Sequence, residues 1–557
     1  MSERRSWVIG SGVAATIVVV ARLWTSRGRD GYTLWPDEPA QLAIARFVGG
    51  GTRWNMHNHS VWRPLFGTLL APVHWFTDDP ATVFHAALAL NAVLGGLAAA
   101  LLVFVAHRLT PMSAAWCSAG AVVVALSPAV IFTTDFVFSE SLIAPLYLAT
   151  LLSLLRLQES PTLGAGALTG VLAAAAFGAH SRMLPLALIT LGVVLWAAVR
   201  RRLRVLHATA AVGVTLGGLA LVSAYTTHLV DRLWNEPSTR NSTDGVIEQL
   251  KNGSAVLVSL LGQSWYLLVA TLGIVVYGAF VLLRSAVDRN PAAVGPRRSD
   301  AVVVVLTVGA CVALSSVFMS DRWRSDQLVY GRYNDAVITP LLLVGLAVLV
   351  GAVPVRRLAV LSAATATATM LSGLALWRLR SDVLSESNGL EPMILGLQPF
   401  AVSATSIDVV RISVLASAGT LALGAVSIAA CRRQLAPIVF AVVGLLVAVG
   451  WSRTASNVDR TWTHSEKLSA VEDVADVVDG ADVDFVLPAG SNSTGRMMLY
   501  QFHLPHTEFT VVTEPVPGTS PFVFARVGTD GDERELSGAG AALIWRDPRG
   551  RYGLWER

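Results

Sequence analysis

Long apolar runs are the feature that most constrains this chain. Stretches of about 20 residues with almost no charge recur between residues 7 and 451, and each is long enough to cross a bilayer core of roughly 30 Å. Only 14% of the residues are charged, against about 25% in a soluble protein. The runs do not alternate in polarity, which excludes an outer-membrane barrel. The pattern predicts a polytopic α-helical membrane protein.

The 20-residue criterion predicts about thirteen transmembrane helices. They centre on residues 7–25, 83–107, 112–132, 138–156, 162–179, 183–199, 206–228, 255–283, 301–319, 336–354, 358–377, 411–431 and 436–451. The first run is interpreted as a retained signal anchor, because no A-x-A cleavage site follows it. Residues 1–451 are therefore predicted to form the transmembrane domain.

Clusters of basic residues between the runs predict the orientation. They include "MSERR" at the N-terminus, "RRRLR" at 200–204 and "CRR" at 431–433. With about thirteen spans and a cytoplasmic N-terminus, all such clusters fall on the cytoplasmic side, as the positive-inside rule requires. We therefore predict a multi-pass protein of the cell membrane, and we expect no nucleic-acid partner. The loop at 26–82 and the tail from residue 452 lie on the extracytoplasmic side.

The tail at 452–557 has a different composition, because the long apolar runs stop and acids outnumber bases. The segment "SEKLSAVEDVADVV" has helical spacing, and "STGRMMLYQFHL" predicts a second helix. Four segments are typical of strands between turn residues: "DVDFVLPAG", "TEFTVVTEP", "SPFVFARV" and "AALIWRD". The tail is predicted to be a small extracytoplasmic α/β domain of about 100 residues.

The three cysteines, Cys117, Cys311 and Cys431, lie inside or at the end of apolar runs. Their spacing matches neither a disulfide framework nor a metal site. We interpret them as small buried hydrophobic residues.

Two adjacent acids, Asp37 and Glu38, lie in the loop at 26–82 within "WPDEP". One explanation is local, because Glu38 before a proline suits a helix start. The functional explanation is that the preceding tryptophan favours the membrane interface, where a partly desolvated carboxylate becomes more basic. The following "AQLAIARFV" has helical apolar spacing. Together with "WRPLFGTLLAPVHWF" at 62–76, it predicts helices lying along the membrane surface beside the acids.

Further polar side chains are predicted on the same side of the membrane. The loop at 26–82 adds His57, His59 and Arg63, which can bind hydroxyls or phosphate. The remaining candidates are Asp135 and Glu140 before the fourth span, Arg182 before the sixth, and Arg332 and Tyr333 before the tenth. Glu140 also suits a helix N-terminus, and Arg182 could snorkel. For Arg332 a phosphate-binding role is favoured, because its planar fork offers two parallel donors.

Four of these segments resemble the GT-C class of integral-membrane glycosyltransferases, and in particular the protein O-mannosyltransferase and aminoarabinose-transferase-like superfamily. They are "WPDEPAQLAIARFV", "SESLIAPLYL", "AHSRMLPLAL" and "GRYNDAVITPLLLVGLA". The resemblance covers roughly residues 1–350 as a pattern. It implies a polyprenyl-phosphate-linked sugar donor, chemistry on the extracytoplasmic face and, in varied forms, an outer C-terminal domain.

The residues themselves also favour a donor that arrives already activated. Nucleotide sugars and ATP are cytoplasmic, whereas the acids are predicted outside, and the sequence has no GxxxxGK loop. A sugar on a lipid phosphate meets this need and can reach the site through the bilayer. The acceptor would be a hydroxyl of a glycan, a glycolipid or a protein.

The predicted reaction is an inverting sugar transfer. Asp37 accepts the proton of the acceptor hydroxyl, and Glu38 orients the acceptor or assists. Arg332, with Arg182 or Arg63, stabilises the departing lipid phosphate. The sequence does not decide whether a divalent metal bridges the acids and the phosphate.

Three other functions compete with this one. A flippase for lipid-linked saccharides would explain the many spans, but transporters tend to place ionisable groups near the bilayer midplane. A scaffold of an envelope-assembly complex would use the tail for docking. A glycoside hydrolase needs two carboxylates about 5–9 Å apart, which Asp37 could form with Asp135 or Glu140.

Overall fold

The structure is a computed structural model of the 557-residue chain. It describes residues 3–31, 37–57, 59–235, 237, 243–288, 296–320, 324–385, 393–400, 406–433, 435–466, 470–478, 480–487, 494–515, 520–528, 532–548 and 550–557. Trp35 and Pro36, which precede the acid pair, lie outside the described residues.

Most of the described chain is helical. In chain order the helices are α1 (Glu3–Thr25), α2 (Glu38–Val48), α3 (Leu65–Leu70), α4 (Pro80–Leu109), α5 (Ala114–Ala125), α6 (Pro128–Ile131), α7 (Glu140–Glu159), α8 (Leu163–Ala179), α9 (Leu184–Val199), α10 (Val205–Leu233), α11 (Thr243–Lys251), α12 (Gly253–Ala270), α13 (Ile274–Val287), α14 (Arg298–Phe318), α15 (Ser325–Leu328), α16 (Arg332–Asp335), α17 (Thr339–Ala347), α18 (Val355–Ser385), α19 (Val409–Arg432), α20 (Ala436–Glu466), α21 (Ala475–Val478), α22 (Gly495–His503) and α23 (Asp532–Gly538). The strands are β1 (Asp482–Val486), β2 (Glu508–Val512), β3 (Phe522–Arg526), β4 (Ala542–Arg546) and β5 (Tyr552–Glu556).

The predicted polytopic helical architecture is confirmed. Within the described residues, 10 helices are long and apolar enough to cross a membrane, and the number is up to 12 if each of two bent pairs forms one span. The prediction of about thirteen is slightly too high by this criterion. The remaining predicted span, at 162–179, is α8, which is apolar but only 17 residues long.

The predicted span at 255–283 is wrong as a single helix. The structure has two helices there, α12 and α13, separated at Leu272 and Gly273, whose φ angles are positive (47° and 74°). A Cβ at residue 273 would lie 2.3 Å from Thr365 Cγ2, so only glycine fits both the backbone and the space. The apolar pattern continues through the break because the flanking residues on both sides are buried in the bundle.

The predicted span at 112–132 is bent, and the one at 336–354 follows a bend at its first residues. Helix α5 meets the segment Pro128–Asp135 at 65°, and Ser325–Asp335 meets Thr339–Ala352 at 73°. A proline stands in the first turn after each bend, where its missing N–H costs nothing. The bends place Asp135 and Arg332 on short helical arms, where both side chains are buried.

The C-terminal residues form a small mixed sheet in the order β2-β1-β3-β5-β4. Strand β1 is parallel to β2 and β3, whereas β5 pairs antiparallel with β3 and β4. The four predicted strands and the helix α22 are in place, so the predicted α/β fold of the tail is confirmed. Strand β5, which lies between β3 and β4, was not predicted; its segment contains Gly553, and glycine is depleted in strands.

Helix α2 packs against α3 and α10 on one side and against α22 of the C-terminal sheet domain on the other. Burial therefore extends over the whole of Glu38–Arg46. That α2 runs along the membrane surface stays a prediction. The amphipathic pattern could not show that a segment more than 400 residues later covers the outer face of this helix.

Arg46 anchors this contact. Its Nη1 donates to the carbonyl of Gln501 (2.7 Å) and its Nη2 to that of Phe502 (3.1 Å), at the C-terminal end of α22, where carbonyl groups favour a cation. Burial lowers the pKa of Arg46 to about 9, so the side chain remains charged at neutral pH. Asn55 and Gln501 add reciprocal bonds of 2.6 and 3.2 Å. The tail is thus fixed to the loop that carries the acid pair.

Candidate active site

Asp37 is the N-cap residue of α2, but its side chain makes no capping hydrogen bond. Its Oδ2 instead accepts a hydrogen bond from Nη2 of Arg332 in an ion pair. None of the hydrogen bonds among the described residues engages Oδ1 of Asp37. The carboxylate is therefore held from one side and keeps one oxygen for another group.

Arg332 connects three parts of the chain. Its Nε lies 2.7 Å from Oε1 of Glu140, at the start of α7, and its Nη2 lies 3.2 Å from the hydroxyl of Tyr333. The guanidinium also lies over the ring of Phe138, with Cζ 4.1 Å from the centroid. The Arg332 side chain has no exposed surface. A buried arginine with two carboxylate partners fixes their positions relative to each other.

Glu38 points away from Asp37. Its Oε1 accepts a hydrogen bond of 2.9 Å from the backbone N–H of Val137, and the residue is fully buried. This bond ties the start of α2 to the segment that precedes α7. Of the two neighbouring acids, the structure brings only Asp37 to a cavity.

A cavity of about 770 Å³ opens beside Asp37. We call it the Asp37 cavity; its walls consist of Asp37, Ser60, Val61, Trp62, Arg63, His180, Ser181, Arg182, Phe318, Met319, Arg324, Gln327, Tyr330, Tyr333 and Met393. The predicted site residues Asp37, Arg63, Arg182 and Tyr333 therefore meet at one place. Arg332 and Glu140 lie behind Asp37 and line a separate inner cavity of about 550 Å³.

Arg182 and Arg63 lie against aromatic rings. Cζ of Arg182 is 3.4 Å from the ring centroid of Tyr333, and Cζ of Arg63 is 4.0 Å from that of Phe177. Among the described residues, neither arginine has a carboxylate within salt-bridge distance. Burial lowers the pKa of Arg63 to about 10, which leaves it charged at neutral pH. The cavity wall thus presents two cations whose charge no acid of the described chain neutralises directly.

His180 lies between α8 and the segment that carries Arg182. Its Nδ1 accepts a hydrogen bond of 3.1 Å from the backbone N–H of Arg182, and its ring stands edge-on to Trp62 at 5.4 Å. Burial, and then the charges of Arg182, Arg332 and Arg63, hold the pKa of His180 well below its usual value. The imidazole is therefore neutral, and because Nδ1 accepts, Nε2 carries the hydrogen.

Besides Glu38, Arg332 and Glu140, three further predicted site residues lie outside the Asp37 cavity. Asp135 pairs with Arg29 at 3.3 Å and accepts from Thr25 at 3.0 Å, so it links its helical arm to the end of α1. His59 is buried, with Nδ1 3.2 Å from the carbonyl of Ser60. His57 is half-buried in the same loop and is not part of the cavity wall.

The sequence-based candidates omitted Trp62, Arg324 and Gln327, which line the cavity. Arg324 pairs with Asp326 at 3.0 Å. Arg324 and Gln327 lie five to eight residues before Arg332, in a polar segment between two apolar runs, which is the signal that could have identified them.

The donor set for a metal is incomplete in the described part of the chain. No group of three or more His, Cys, Asp or Glu side chains is close enough to hold an ion there. Asp37 and Glu140 both face the guanidinium of Arg332, which takes the position between them that a cation would need. The described residues therefore do not fit a protein-held metal.

The described residues combine a bundle with 10 to 12 candidate spans, an acid-bearing helix in the first long loop and a C-terminal α/β domain. The chain resembles the crystal structure of ArnT from Cupriavidus metallidurans bound to undecaprenyl phosphate, with a TM-score of 0.53, 15% identity and coverage of 98% of this chain and 97% of that one. The apo structure of ArnT gives the same TM-score of 0.53 at 14% identity. The likeness establishes the fold.

Arabinosyltransferase EmbB from Mycobacterium smegmatis is less similar, with a TM-score of 0.46 and 16% identity over 80% of this chain and 41% of that one. No protein-family model and no curated protein matches the sequence. The predicted resemblance to the GT-C class is thus confirmed by the three-dimensional structure.

Proposed function

We propose that this protein is a membrane glycosyltransferase that moves a sugar from a polyprenyl-phosphate donor to a hydroxyl acceptor. The observation that carries the proposal is the Asp37 cavity, where an oriented carboxylate faces two arginines that lack a carboxylate partner among the described residues. The GT-C fold supports it, because ArnT, which shares the fold, was crystallised with undecaprenyl phosphate.

Asp37 is the general base. Its Oδ2 is held by Arg332, so Oδ1 is directed to the acceptor hydroxyl. The acceptor oxygen attacks the anomeric carbon and gives its proton to Asp37, while the bond from that carbon to the phosphate oxygen breaks and its electron pair leaves with the phosphate. Attack from the face opposite the leaving group inverts the anomeric centre. Such a base contributes about 10²–10⁴-fold in rate.

Arg182 and Arg63 stabilise the leaving group. The donor phosphodiester carries one negative charge, and the released phosphate monoester carries up to two. Arg182 and Arg63 are not neutralised by a carboxylate of the described residues, so they can bind the negative charge that develops on the phosphate. They therefore bind the transition state more tightly than the ground state. This assignment gives Arg332, whose charge is directed to Asp37 and Glu140, a positioning role instead.

The isoprenoid chain has a separate place to bind. An apolar cavity of about 1460 Å³ lies between α5, α12, α17, α19 and α20. Its wall includes Leu415, Leu446 and Val449, whose exposed side chains open it to the lipid phase. Met393 lines the Asp37 cavity, and Gly396, three residues later, lines the apolar cavity. The headgroup and the isoprenoid chain of one lipid can therefore lie on opposite sides of the segment 393–396.

The reaction takes place on the extracytoplasmic face. The basic clusters support this orientation, because with a cytoplasmic N-terminus they fall inside by the positive-inside rule. The Asp37 loop and the tail that docks on it then lie outside. A glycan, a glycolipid or a protein supplies the acceptor hydroxyl.

The proposal is tested with purified protein in proteoliposomes that contain decaprenyl-phosphate-linked [¹⁴C]mannose or [¹⁴C]arabinose and a membrane-envelope extract as acceptor. Label on the acceptor is expected for the wild type and at least about a hundredfold less for Arg182→Met. Arg356→Met, an exposed arginine at the start of α18, is the matched control. Movement of intact labelled lipid between leaflets without transfer would establish a flippase instead.

A further inference from the structure

The wall of the Asp37 cavity contains buried polar atoms that the described residues leave without partners. Gln327 is only 1% exposed, yet neither Oε1 nor Nε2 of its amide has a hydrogen-bond partner among the residues that the structure describes. Gln327 lines the cavity, so both atoms are available to a molecule bound there. An unpaired buried amide is costly, and a ligand that pairs with it recovers that cost.

Two further donors lie on the same wall. Nε2 of His180 carries the hydrogen, as derived above from the bond at Nδ1, and it has no partner in the described part of the protein. The indole Nε1 of Trp62 likewise has no hydrogen-bond partner within the described ranges. Besides the arginines, the wall therefore offers one neutral acceptor and three neutral donor groups.

We infer that Gln327, with Trp62 and His180, binds the hydroxyl groups of the transferred sugar, and that the site selects a neutral sugar over one bearing an ammonium group. The inference rests on the proposed function. A carboxamide places one donor and one acceptor side by side, which matches two neighbouring hydroxyls, since each hydroxyl can both donate and accept.

The charges on the wall give the direction of the selectivity. Arg63 and Arg182 contribute two positive charges with no carboxylate partner among the described residues, whereas Arg324 is paired with Asp326 at 3.0 Å. Among the described wall residues, Asp37 contributes the one negative charge. Arg332 already pairs with Oδ2 of Asp37, so an ammonium group would have to share the one carboxylate of the described wall with a guanidinium. Like charges placed close together in a desolvated site repel strongly, whereas a neutral hydroxyl is not repelled by the arginines.

The test measures binding to the full-length protein in lipid nanodiscs without acceptor. Three probes are compared: decaprenyl phosphate alone, decaprenyl-phosphate-linked arabinose and its 4-amino-4-deoxy analogue. The arabinose probe is expected to bind at least about tenfold more tightly than the amino analogue. Gln327→Leu is expected to weaken the binding of the arabinose probe about tenfold and to leave the affinity for decaprenyl phosphate unchanged. Gln158→Leu, at the far end of α7, is the matched control.

Gln327→Glu keeps the shape of the side chain and adds one negative charge, so it is expected to reduce or reverse the preference for the arabinose probe. This variant also provides the test if Gln327→Leu does not fold. Equal binding of the two sugar probes to the wild type, or an unchanged preference in both variants, would overturn the inference. Failure of all three probes to bind would overturn the proposed function itself.

Discussion

Arg332 forms an ion pair with Asp37, which lies 295 residues earlier in the chain, and the same guanidinium reaches Glu140 at 2.7 Å. The pair joins the loop after α1 to the arm that precedes α17, with α7 as the third partner. It holds one carboxylate oxygen at the edge of a polar cavity and leaves the other to a substrate.

Asp37→Asn is expected to lower the turnover of sugar transfer at least about a hundredfold, because the amide can still accept from Arg332 but cannot take a proton. Expression and melting temperature should remain close to those of the wild type. The measurement is transfer of labelled sugar from a polyprenyl-phosphate donor, with the exposed Asp30→Asn as control. Normal transfer by Asp37→Asn would remove Asp37 from the mechanism.

Arg332→Met is expected to destabilise the protein by about 3–5 kcal/mol, because it leaves the buried Glu140 and the partly buried Asp37 without their shared cation. Thermal unfolding in detergent measures the effect, and Arg356→Met, on an exposed position, is the control. Combining Arg332→Met with Glu140→Gln should recover part of the loss, since it removes one of the unpaired charges. A melting temperature equal to that of the wild type would contradict the paired geometry.

Arg46→Met is expected to destabilise the contact between α2 and α22, because two charge-assisted hydrogen bonds to Gln501 and Phe502 are lost, each worth about 1.5–3 kcal/mol. Limited proteolysis should then release the C-terminal residues faster, and transfer should decrease with it. The control is Arg53→Met, an exposed arginine in the same loop. Unchanged proteolysis would show that the docking does not depend on Arg46.

Asp135→Asn separates structure from catalysis. Asp135 pairs with Arg29 and lies outside the Asp37 cavity, so we expect a lower melting temperature with kcat/KM changed less than about threefold. The two quantities are measured on the same preparation. A hundredfold loss of kcat/KM with normal stability would return Asp135 to the site, where the sequence had placed it.

His180 should make stability depend on pH on the acid side. Its pKa in the folded protein is well below the usual value of 6.5, so below pH 6.5 the unfolded chain binds more protons than the folded one. The contribution of His180 to the free energy of unfolding is fully present above pH 6.5. It is lost as the pH falls, by up to about 1.4 kcal/mol per pH unit.

The measurement for His180 is the melting temperature of the wild type and of His180→Asn between pH 5 and 8. The Asn side-chain oxygen can accept from the backbone N–H of Arg182 in place of Nδ1. The variant should lose less stability than the wild type below pH 6.5. Parallel curves for the two proteins would show that His180 does not contribute.

The apolar runs determined most of the membrane architecture, because a segment of about 20 uncharged residues has few alternatives to a helix in a bilayer. The same local signals predicted four of the five strands and α22. They could not show the break at Gly273, which is defined by what packs around it, and they did not predict strand β5, whose segment contains a glycine.

For the candidate site, too, the sequence predicted some of the residues and the tertiary structure decided the rest. Residue type and position predicted Asp37, Arg63, Arg182 and Tyr333, which the fold brings to one cavity. Only the tertiary structure shows that Glu38 binds the backbone of Val137 and points away from Asp37. It also shows that Asp135 pairs with Arg29 and that Gln327 lines the Asp37 cavity. The sequence carries the chemistry of each side chain and its preference for water or lipid. Which charges meet depends on contacts between segments hundreds of residues apart, and those are set by the packing of the whole bundle.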